Sequence, residues 1–431
     1  DPVVAEPEQA EDASDNAARR PPRAAWQRWA AVDLDAALKE PARTMKEPPR
    51  WFRGSLQRAY GVALDEWERN GSVASWTLFL FTPRLLLTQT DKKGEAGAEE
   101  LKQRFARFLR GEWAELLAET QQPQRHQERR PPQRELNPEE AKERKLEAVC
   151  NRVRQNEVSR ARELLTSSGL APGNAATLAD LTDPAKRPPR LSREIPAEVL
   201  AHEPAVAFAL DEDELFACLS TARKGRAADL SGTRLEHLRV LLDNEANWKK
   251  FAHMAQAFAK GQVPQEVVEL LKQGRMTALK KRDGRPRGIV TGCALRRLIS
   301  KAVARQCAGR FRDATAPFQF ALQTRAGMDA VAHAIRALTD SDPNLVVVSL
   351  DGIGAYDHVR RASFLQALRD DPELASLLPL VRRFYTTPST FLWMDDKGET
   401  HEVHQGEGGE QGDPLMPALF SMGQHAALRH A

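Results

Sequence analysis

The chain reads Leu-Val-Val-Val-Ser-Leu-Asp-Gly-Ile-Gly-Ala-Tyr-Asp over residues 345–357. The apolar run at residues 345–350 is rich in β-branched side chains, which predicts a strand buried on both faces. Asp351 follows directly where that strand would end. Because an unpaired buried carboxylate is costly, this position favours a bound cation such as Mg²⁺. The alternative is that Asp351 caps a helix or a turn.

Three further stretches stand out in the same half of the chain. Residues 410–420 read Glu-Gln-Gly-Asp-Pro-Leu-Met-Pro-Ala-Leu-Phe, and residues 278–289 read Ala-Leu-Lys-Lys-Arg-Asp-Gly-Arg-Pro-Arg-Gly-Ile. Residues 317–320 read Pro-Phe-Gln-Phe and lead into a stretch with helical spacing that starts near Met328.

In order and spacing, these four stretches resemble segments of reverse transcriptases, especially those of non-LTR (LINE-like) retroelements. In that family, Asp followed by Ala-aromatic-Asp and the Gln-Gly-Asp-Pro-Leu segment are palm motifs, and the basic stretch belongs to the fingers. Two positions differ: Gly288 replaces a usual Pro, and Met416 replaces a usual Ser. The resemblance covers residue 211 to the end. It implies an α+β fold, part of the fingers and palm of a right-hand polymerase, preceded by a mostly α-helical region.

The resemblance also implies an RNA-directed DNA polymerase, which adds dNTPs to the 3′-OH of a DNA primer on an RNA template. In such an enzyme Asp351 and the backbone carbonyl of Gly352 would hold Mg²⁺ or Mn²⁺, since hard cations prefer oxygen ligands. Lys280 and Arg287 would grip the triphosphate. The simpler interpretation of the two cations is a pair of exposed strand charges.

Three more residues are expected at the nucleotide. Tyr356 would lie under the sugar and leave no room for a 2′-hydroxyl, or it packs the turn. Gln411 and Gly412 would approach the nucleotide or template, because glycine permits close backbone contact. Asp357 and Asp413 are expected to be structural turn or capping acids.

The family has a further palm motif, an aromatic residue, any residue and two Asp, after the Gln-Gly-Asp-Pro segment. Trp393-Met394-Asp395-Asp396 matches its letters, but Asp-Asp-Lys-Gly between two strand-like runs predicts a β-turn. We therefore expect an incomplete polymerase with one of the catalytic carboxylates. Two alternatives stay open: a catalytically dead remnant that binds nucleic acid through basic fingers, and a protein similar to group II intron maturases.

Positive charge is concentrated in one window of the sequence. The formal net charge is only +3, yet residues 272–312 hold 13 Lys or Arg and a single acid, Asp283. Such clustering is typical of a phosphate-binding surface. For Arg296, Arg297, Lys301 and Arg305 a solvated helix face is the alternative, because their spacing distributes them around a helix.

Composition suggests a protein of the reducing interior of the cell, with 431 residues, 41% hydrophobic residues and 29% charged ones. The four cysteines show no paired spacing, which favours a reducing compartment. The longest apolar stretch, residues 76–87, contains Pro83 and Arg84 and is too short for a bilayer span, so we expect no membrane partner. Nuclear or cytoplasmic localisation is expected, the nucleus only by family resemblance.

Changes in composition divide the chain into six expected parts. These are a disordered start (1–24), a helical N-terminal region (25–120), a linker (121–138), a charged helical segment (139–170), a Pro-rich linker (171–197) and the partial fingers and palm (198–431). Asp211 and Glu214 are expected to cap the first helix of the last part.

Overall fold

The computed structural model describes residues 20–121, 137–154, 158–166, 169–281, 283–322, 324–352 and 354–430. These residues form an α+β structure in which helices surround one four-stranded sheet. The coarse fold class predicted from the sequence is thereby confirmed. The expected disordered start (1–24) and first linker (121–138) lie mostly outside the described residues.

Six helices form the N-terminal region. They are α1 (Arg23–Ala30), α2 (Leu34–Lys39), α3 (Arg53–Asn70), α4 (Val73–Leu87), α5 (Gly94–Leu109) and α6 (Trp113–Gln121). α4 is buried along nearly its whole length, since Arg84 is its only charged residue. Arg84 donates hydrogen bonds to the carbonyl of Ala37 (2.7 Å) and to Thr120 (3.1 Å), which ties three helices together. Within the described ranges, no helix is long and apolar enough to cross a membrane.

The next helices connect this bundle to the rest of the chain. They are α7 (Pro138–Arg154), α8 (Val158–Thr166), α9 (Ala175–Leu181) and α10 (Ala197–Ala201). α7 and α8 pack against each other, as the helical prediction for residues 139–170 requires. α9 packs on the sheet. The Pro-rich stretch 171–197, expected to be a linker, therefore contains folded structure.

Four helices and a hairpin follow: α11 (Glu212–Ser220), α12 (Leu235–Leu238), α13 (Glu245–Ala259), α14 (Gln265–Leu271), β1 (Gly274–Lys280) and β2 (Pro286–Thr291). Asp211 caps α11, as predicted, by accepting hydrogen bonds from the amides of Asp213 and Glu214. Glu214 does not complete the cap: the Asp211 amide donates to Gln306 (2.9 Å), and the Glu214 carboxylate pairs with Arg305. α13 packs on the N-terminal bundle, where Phe251 stacks on Phe79 at 5.7 Å. The helical region and the C-terminal part thus share one hydrophobic core.

The remaining elements complete the described chain. They are α15 (Ala294–Gln306), α16 (Ala308–Thr315), α17 (Gly327–Ser341), α18 (Ala355–His358), α19 (Arg361–Asp370), α20 (Leu378–Tyr385), β3 (Ser389–Met394), β4 (Thr400–Gln405) and α21 (Met416–His430). The sheet has the order β2-β1-β3-β4. β1 runs parallel to β3, and the two hairpins β1–β2 and β3–β4 are antiparallel. This topology places the basic hairpin beside the β3–β4 hairpin.

The buried strand expected at residues 345–350 does not form. The run is uncovered, with Val346 81% and Leu350 90% exposed, and in the described chain no strand pairs with it. A strand buried on both faces needs hydrogen-bonded neighbours and covering layers. The sheet edges β2 and β4 supply neither to this run. α17 before it is also uncovered, and Gly327 is its only buried residue.

Candidate functional site

The predicted triphosphate-binding cations lie at the turn end of the β1–β2 hairpin. Lys280 pairs with Pro286 and Leu279 pairs with Arg287, so the two cations occupy neighbouring rungs. Because side chains alternate across a strand, they project from opposite faces of the hairpin. Both are exposed, and neither forms an ion pair with any described carboxylate. Their charges are therefore available to a ligand, on opposite faces of the hairpin.

One face of this hairpin is held by an arginine that the sequence analysis missed. Arg187 is buried and donates hydrogen bonds to the carbonyl of Leu181 (3.0 Å) and to the carboxylate of Asp357 (3.3 Å). Burial raises the pKa of Asp357, and the charge of Arg187 opposes that rise. Asp357 is thus a structural acid, as expected, and it fixes the turn that carries Tyr356.

The turn around Tyr356 contacts the loop before the Gln-Gly-Asp-Pro segment. The amide of Gly409 donates to the carbonyl of Tyr356, and that of Gly408 donates to the carbonyl of Val359, both at 2.8 Å. The Tyr356 ring is half-buried and packs edge-on against Phe420 at 5.1 Å. Two stretches that carry the family resemblance are therefore in direct contact, and Tyr356 packs this junction.

Gly412 brings the same loop against the fingers-like hairpin. Its φ is +150°, and a Cβ there would lie 2.6 Å from the carbonyl oxygen of Val290 in β2. Only glycine fits this approach without moving the strand. Gln411, next to it, is half-buried. The corner at Gln411 and Gly412 thus lies against the basic hairpin.

A buried ion cluster holds the residues on either side of this corner. Arg296 of α15 binds the carboxylates of both Glu410 and Asp413, the latter at 3.0 Å. The hydroxyl of Tyr385 also donates to Asp413 (2.8 Å), and Asp413 accepts from the amide of Leu415 (3.0 Å). Asp413 is therefore structural, as expected. The proposed solvated helix face is wrong for Arg296, because its two acidic partners compensate its burial.

A second buried arginine fixes the backbone of the loop. Arg361 at the start of α19 donates hydrogen bonds to the carbonyls of Gly408, Gln405 and Thr387 at 2.7–3.0 Å. Burial lowers its pKa to about 10. The Arg361 amide also donates to Glu407 (2.8 Å). The loop at residues 405–409 is consequently held along its whole length.

Residues 169–192, which we call the strap, bind several parts of the site together. The Lys280 amide donates to the carbonyl of Gly169 (3.0 Å), and the Gly406 amide donates to the carbonyl of Pro188 (2.7 Å). Ser192 donates its amide to Glu407 (2.6 Å). The expectation of a linker is therefore wrong for residues 171–192, because the strap fixes β1 and the loop at residues 405–409.

The strap also explains the departure at Gly288. A Cβ at this position would lie 3.1 Å from both the Leu181 side chain of α9 and the Met276 sulfur. The Arg187 guanidinium would be 3.3 Å away. Side chains of the strap and of β1 occupy the space into which a larger residue would extend, so glycine is suited to this site.

The predicted metal ligands are the least enclosed part of the site. Asp351 and Gly352 are exposed, and Asp351 forms no ion pair with the described residues. A carboxylate and a carbonyl oxygen suit Mg²⁺ or Mn²⁺ chemically. The buried strand that we expected before Asp351 is missing, because no strand of the described chain pairs with residues 345–350.

Asp395 and Asp396 lie in the β3–β4 turn, as the turn chemistry predicts. Asp395 accepts hydrogen bonds from the amides of Lys397 and Glu399, both at 2.9 Å, and lies 3.0 Å from His401. Asp395, Glu399 and His401 are the described side chains close enough to share an ion. This group is separate from Asp351, so the letters Asp-Asp here do not complete the expected carboxylate pair.

Comparison with known proteins adds no assignment. No protein-family model matches the chain. No curated protein matches it either. The functional argument therefore rests on the residues and contacts described above.

Proposed function

We propose that this chain provides the fingers and part of the palm of an RNA-directed DNA polymerase of the non-LTR retroelement type. The observation that carries the proposal is the contact of Gly412 with Val290, together with that of Gly409 with Tyr356. These contacts join three stretches that resemble reverse transcriptases but lie far apart in the sequence. A chance match of letters gives no reason for such stretches to meet at one corner.

The nucleotide in this proposal lies between the basic hairpin and the Tyr356 turn. Lys280 and Arg287 supply positive charge for the triphosphate, since no described carboxylate neutralises either side chain. They grip it from the two faces of the hairpin end. Tyr356, half-buried against Phe420, has a fixed ring that limits the space at the 2′ position of the sugar. Gln411 and Gly412 border the nucleotide on the palm side.

The metal in this proposal is Mg²⁺ or Mn²⁺, held by the Asp351 carboxylate and the Gly352 carbonyl. Held there, such an ion would supply charge that lowers the pKa of the primer hydroxyl and neutralises the triphosphate. One carboxylate does not hold two ions, so catalysis by two ions would require a further carboxylate beside Asp351.

A second candidate function is binding of nucleic acid without catalysis. The exposure of residues 345–351 favours it, because the described residues leave the metal site unassembled. In that case the basic hairpin binds RNA or DNA by charge alone. A dead retroelement remnant and a maturase-like protein both fit this description. The two candidates differ in whether a bound nucleotide depends on a divalent ion.

Phosphate-directed labelling of lysines distinguishes them. Pyridoxal 5′-phosphate, reduced with borohydride, labels lysines that lie beside a phosphate site, and mass spectrometry locates the label. We expect labelling of Lys280 that Mg²⁺-dATP prevents and Mg²⁺-ATP prevents less, because of Tyr356. Lys301, half-exposed on α15, is the control whose labelling stays unchanged. Labelling of Lys280 that dATP does not alter contradicts the polymerase proposal.

A further inference from the structure

Three arginines come from separate segments that meet at the loop around Asp229. Arg234 precedes α12, Arg275 lies in β1, and Arg297 lies in the first turn of α15. The Arg275 guanidinium donates to the carbonyl of Asp229 at 2.7 Å. The amide of Ala294, at the start of α15, donates to the Asp229 carboxylate at 2.7 Å. The loop at Asp229 thus joins the strand and the helix that carry two of the arginines.

The Asp229 carboxylate attracts Arg275 and offsets part of the positive charge of this cluster, but it is already engaged in hydrogen bonds. The Asp229 carboxylate already accepts hydrogen bonds from the Ser231 hydroxyl (2.7 Å) and the Thr233 amide (2.9 Å), besides that of Ala294. None of the three guanidinium groups forms an ion pair with a described carboxylate. Arg234 uses one nitrogen for the carbonyl of Arg226.

Two guanidinium nitrogens in the cluster are buried and unpaired. The Nε atoms of Arg234 and Arg297 are shielded from solvent and have no hydrogen-bond partner. Burial lowers the pKa of Arg275, the Asp229 carboxylate opposes that change, and the charges of Arg234 and Arg297 add to it. Like charges held together with unpaired donors are unfavourable, so this arrangement indicates a missing oxyanion.

We propose that Arg234, Arg275 and Arg297 bind a phosphate group of a nucleic-acid strand. A phosphate offers several acceptor oxygens and is the group that guanidinium forks bind best. Lys280 and Arg287 lie at the other end of the hairpin, so this site is distinct from the proposed triphosphate site.

The sheet register favours a polymer over a free anion. Leu279 pairs with Arg287, and Arg275 lies four residues before Leu279, so Arg275 and Arg287 share one face of the hairpin. Their rungs are roughly 13 Å apart along the strand. A nucleic-acid backbone bound at Arg275 follows this face towards Arg287 and the proposed triphosphate site, whereas a single small anion at Arg275 does not extend that far. The basic residues at positions 272–312 thus form an extended positive surface rather than a single anion site.

The test uses Arg234→Gln and Arg297→Gln, with Arg305→Gln as a matched control. Arg305 lies on the same helix as Arg297, is exposed and pairs with Glu214. Binding of a fluorescent single-stranded RNA, with no nucleotide added, is measured by anisotropy over a range of salt concentrations. We expect each cluster variant to bind several-fold more weakly, with a salt slope reduced by about 1, while the control stays closer to the wild type.

Thermal unfolding separates an anion site from a structural role. Without added anion, each cluster variant is expected to have a Tm equal to or above that of the wild type, because repulsion is relieved. The rise in Tm caused by pyrophosphate is expected to shrink in the same variants. A lower Tm without anion, or unchanged RNA affinity and salt slope, overturns the proposal. Stabilisation by pyrophosphate with unchanged RNA binding overturns the nucleic-acid assignment. The labelling of Lys280 tests the proposed function separately, so its outcome does not depend on these results.

Discussion

Arg296 donates a hydrogen bond to the Asp413 carboxylate across 3.0 Å, and both side chains are almost completely buried. Arg296 also binds Glu410, three residues earlier, and stacks over the Phe384 ring at 4.3 Å. α15 is thereby locked to the loop that precedes α21. The corner formed by Gln411 and Gly412 owes its position to this ion cluster.

Replacing Arg296 with Met is expected to destabilise the protein strongly. Two buried carboxylates lose their common partner, and breaking a buried ion pair from one side costs about 3–5 kcal/mol. Urea unfolding followed by circular dichroism measures the change. Arg305→Met on the same helix is the control, with a loss below about 0.5 kcal/mol because Arg305 is exposed. Similar losses in both variants contradict the assigned role.

His237 is expected to make stability depend on pH. Its ring is buried between the Arg234 amide (3.2 Å) and the Met45 carbonyl (2.8 Å), and burial lowers its pKa from 6.5 to about 4. The unfolded chain therefore takes up a proton at a higher pH than the folded one. This stability is fully present above pH 6.5 and is lost as the pH falls towards 4, up to roughly 3 kcal/mol.

His237→Gln isolates that contribution from those of the acidic residues. Glutamine retains a donor and an acceptor but does not titrate. The difference in unfolding free energy between wild type and variant should therefore shrink as the pH falls from 7 to 4. His404→Gln, at an exposed position in β4, serves as the control. A difference that stays constant with pH shows that His237 does not titrate on unfolding.

Local signals in the sequence predicted local structure well. Asp211 caps α11, and the turn residues at Asp395 join two strands as their chemistry requires. Partners far away in sequence were not predictable. Arg187 binds an acid 170 residues later, and nothing near it in the sequence distinguishes it from the exposed basic residues of a Pro-rich stretch. In the same way, nothing in the sequence distinguished the buried Arg296 from the basic residues near it.

The run at residues 345–350 was misjudged for a related reason. Its β-branched residues favour a buried strand, but a strand forms only where adjacent strands provide hydrogen bonds to its backbone. The described residues offer none, so the segment forms no strand and its side chains are exposed. For the candidate site, the sequence therefore identified the stretches that meet, whereas the enclosure of Asp351 depends on pairing that composition does not specify.

Lysine substitutions in this run should leave the fold intact. Val346 and Val348 are 81% and 71% exposed, so Val346→Lys with Val348→Lys is expected to change the free energy of unfolding by less than about 0.5 kcal/mol. Because exposed apolar strands associate, the variant should also self-associate less in sedimentation experiments. Val403→Lys is the contrasting control, since Val403 is fully buried and its replacement should cost several kcal/mol. An equal loss of unfolding free energy in the two variant proteins indicates that residues 345–350 are covered.

Gly412→Ala is expected to disturb the corner beside the hairpin. The added Cβ meets the Val290 carbonyl at 2.6 Å and adopts a φ that side chains disfavour, which costs about 1–3 kcal/mol. We expect a lower Tm and weaker protection of Lys280 by dATP against labelling. Gly54→Ala in α3 is the control: no atom lies within 4 Å of its new Cβ, and alanine favours the helix. Full dATP protection in Gly412→Ala means that the corner does not border the nucleotide.

Asp351→Ala separates metal-dependent chemistry from folding. Asp351 is exposed and forms no ion pair with the described residues, so its loss should leave the Tm unchanged. If it holds Mg²⁺, the variant should lose the divalent-ion dependence of dATP protection at Lys280. Any extension of oligo(dT) on poly(rA) by the wild type should fall by roughly 100-fold or more, because metal stabilisation of the transition state is worth several kcal/mol. Equal extension by both proteins removes Asp351 from the catalytic role, while the contact between Gly412 and Val290 is unaffected by that result.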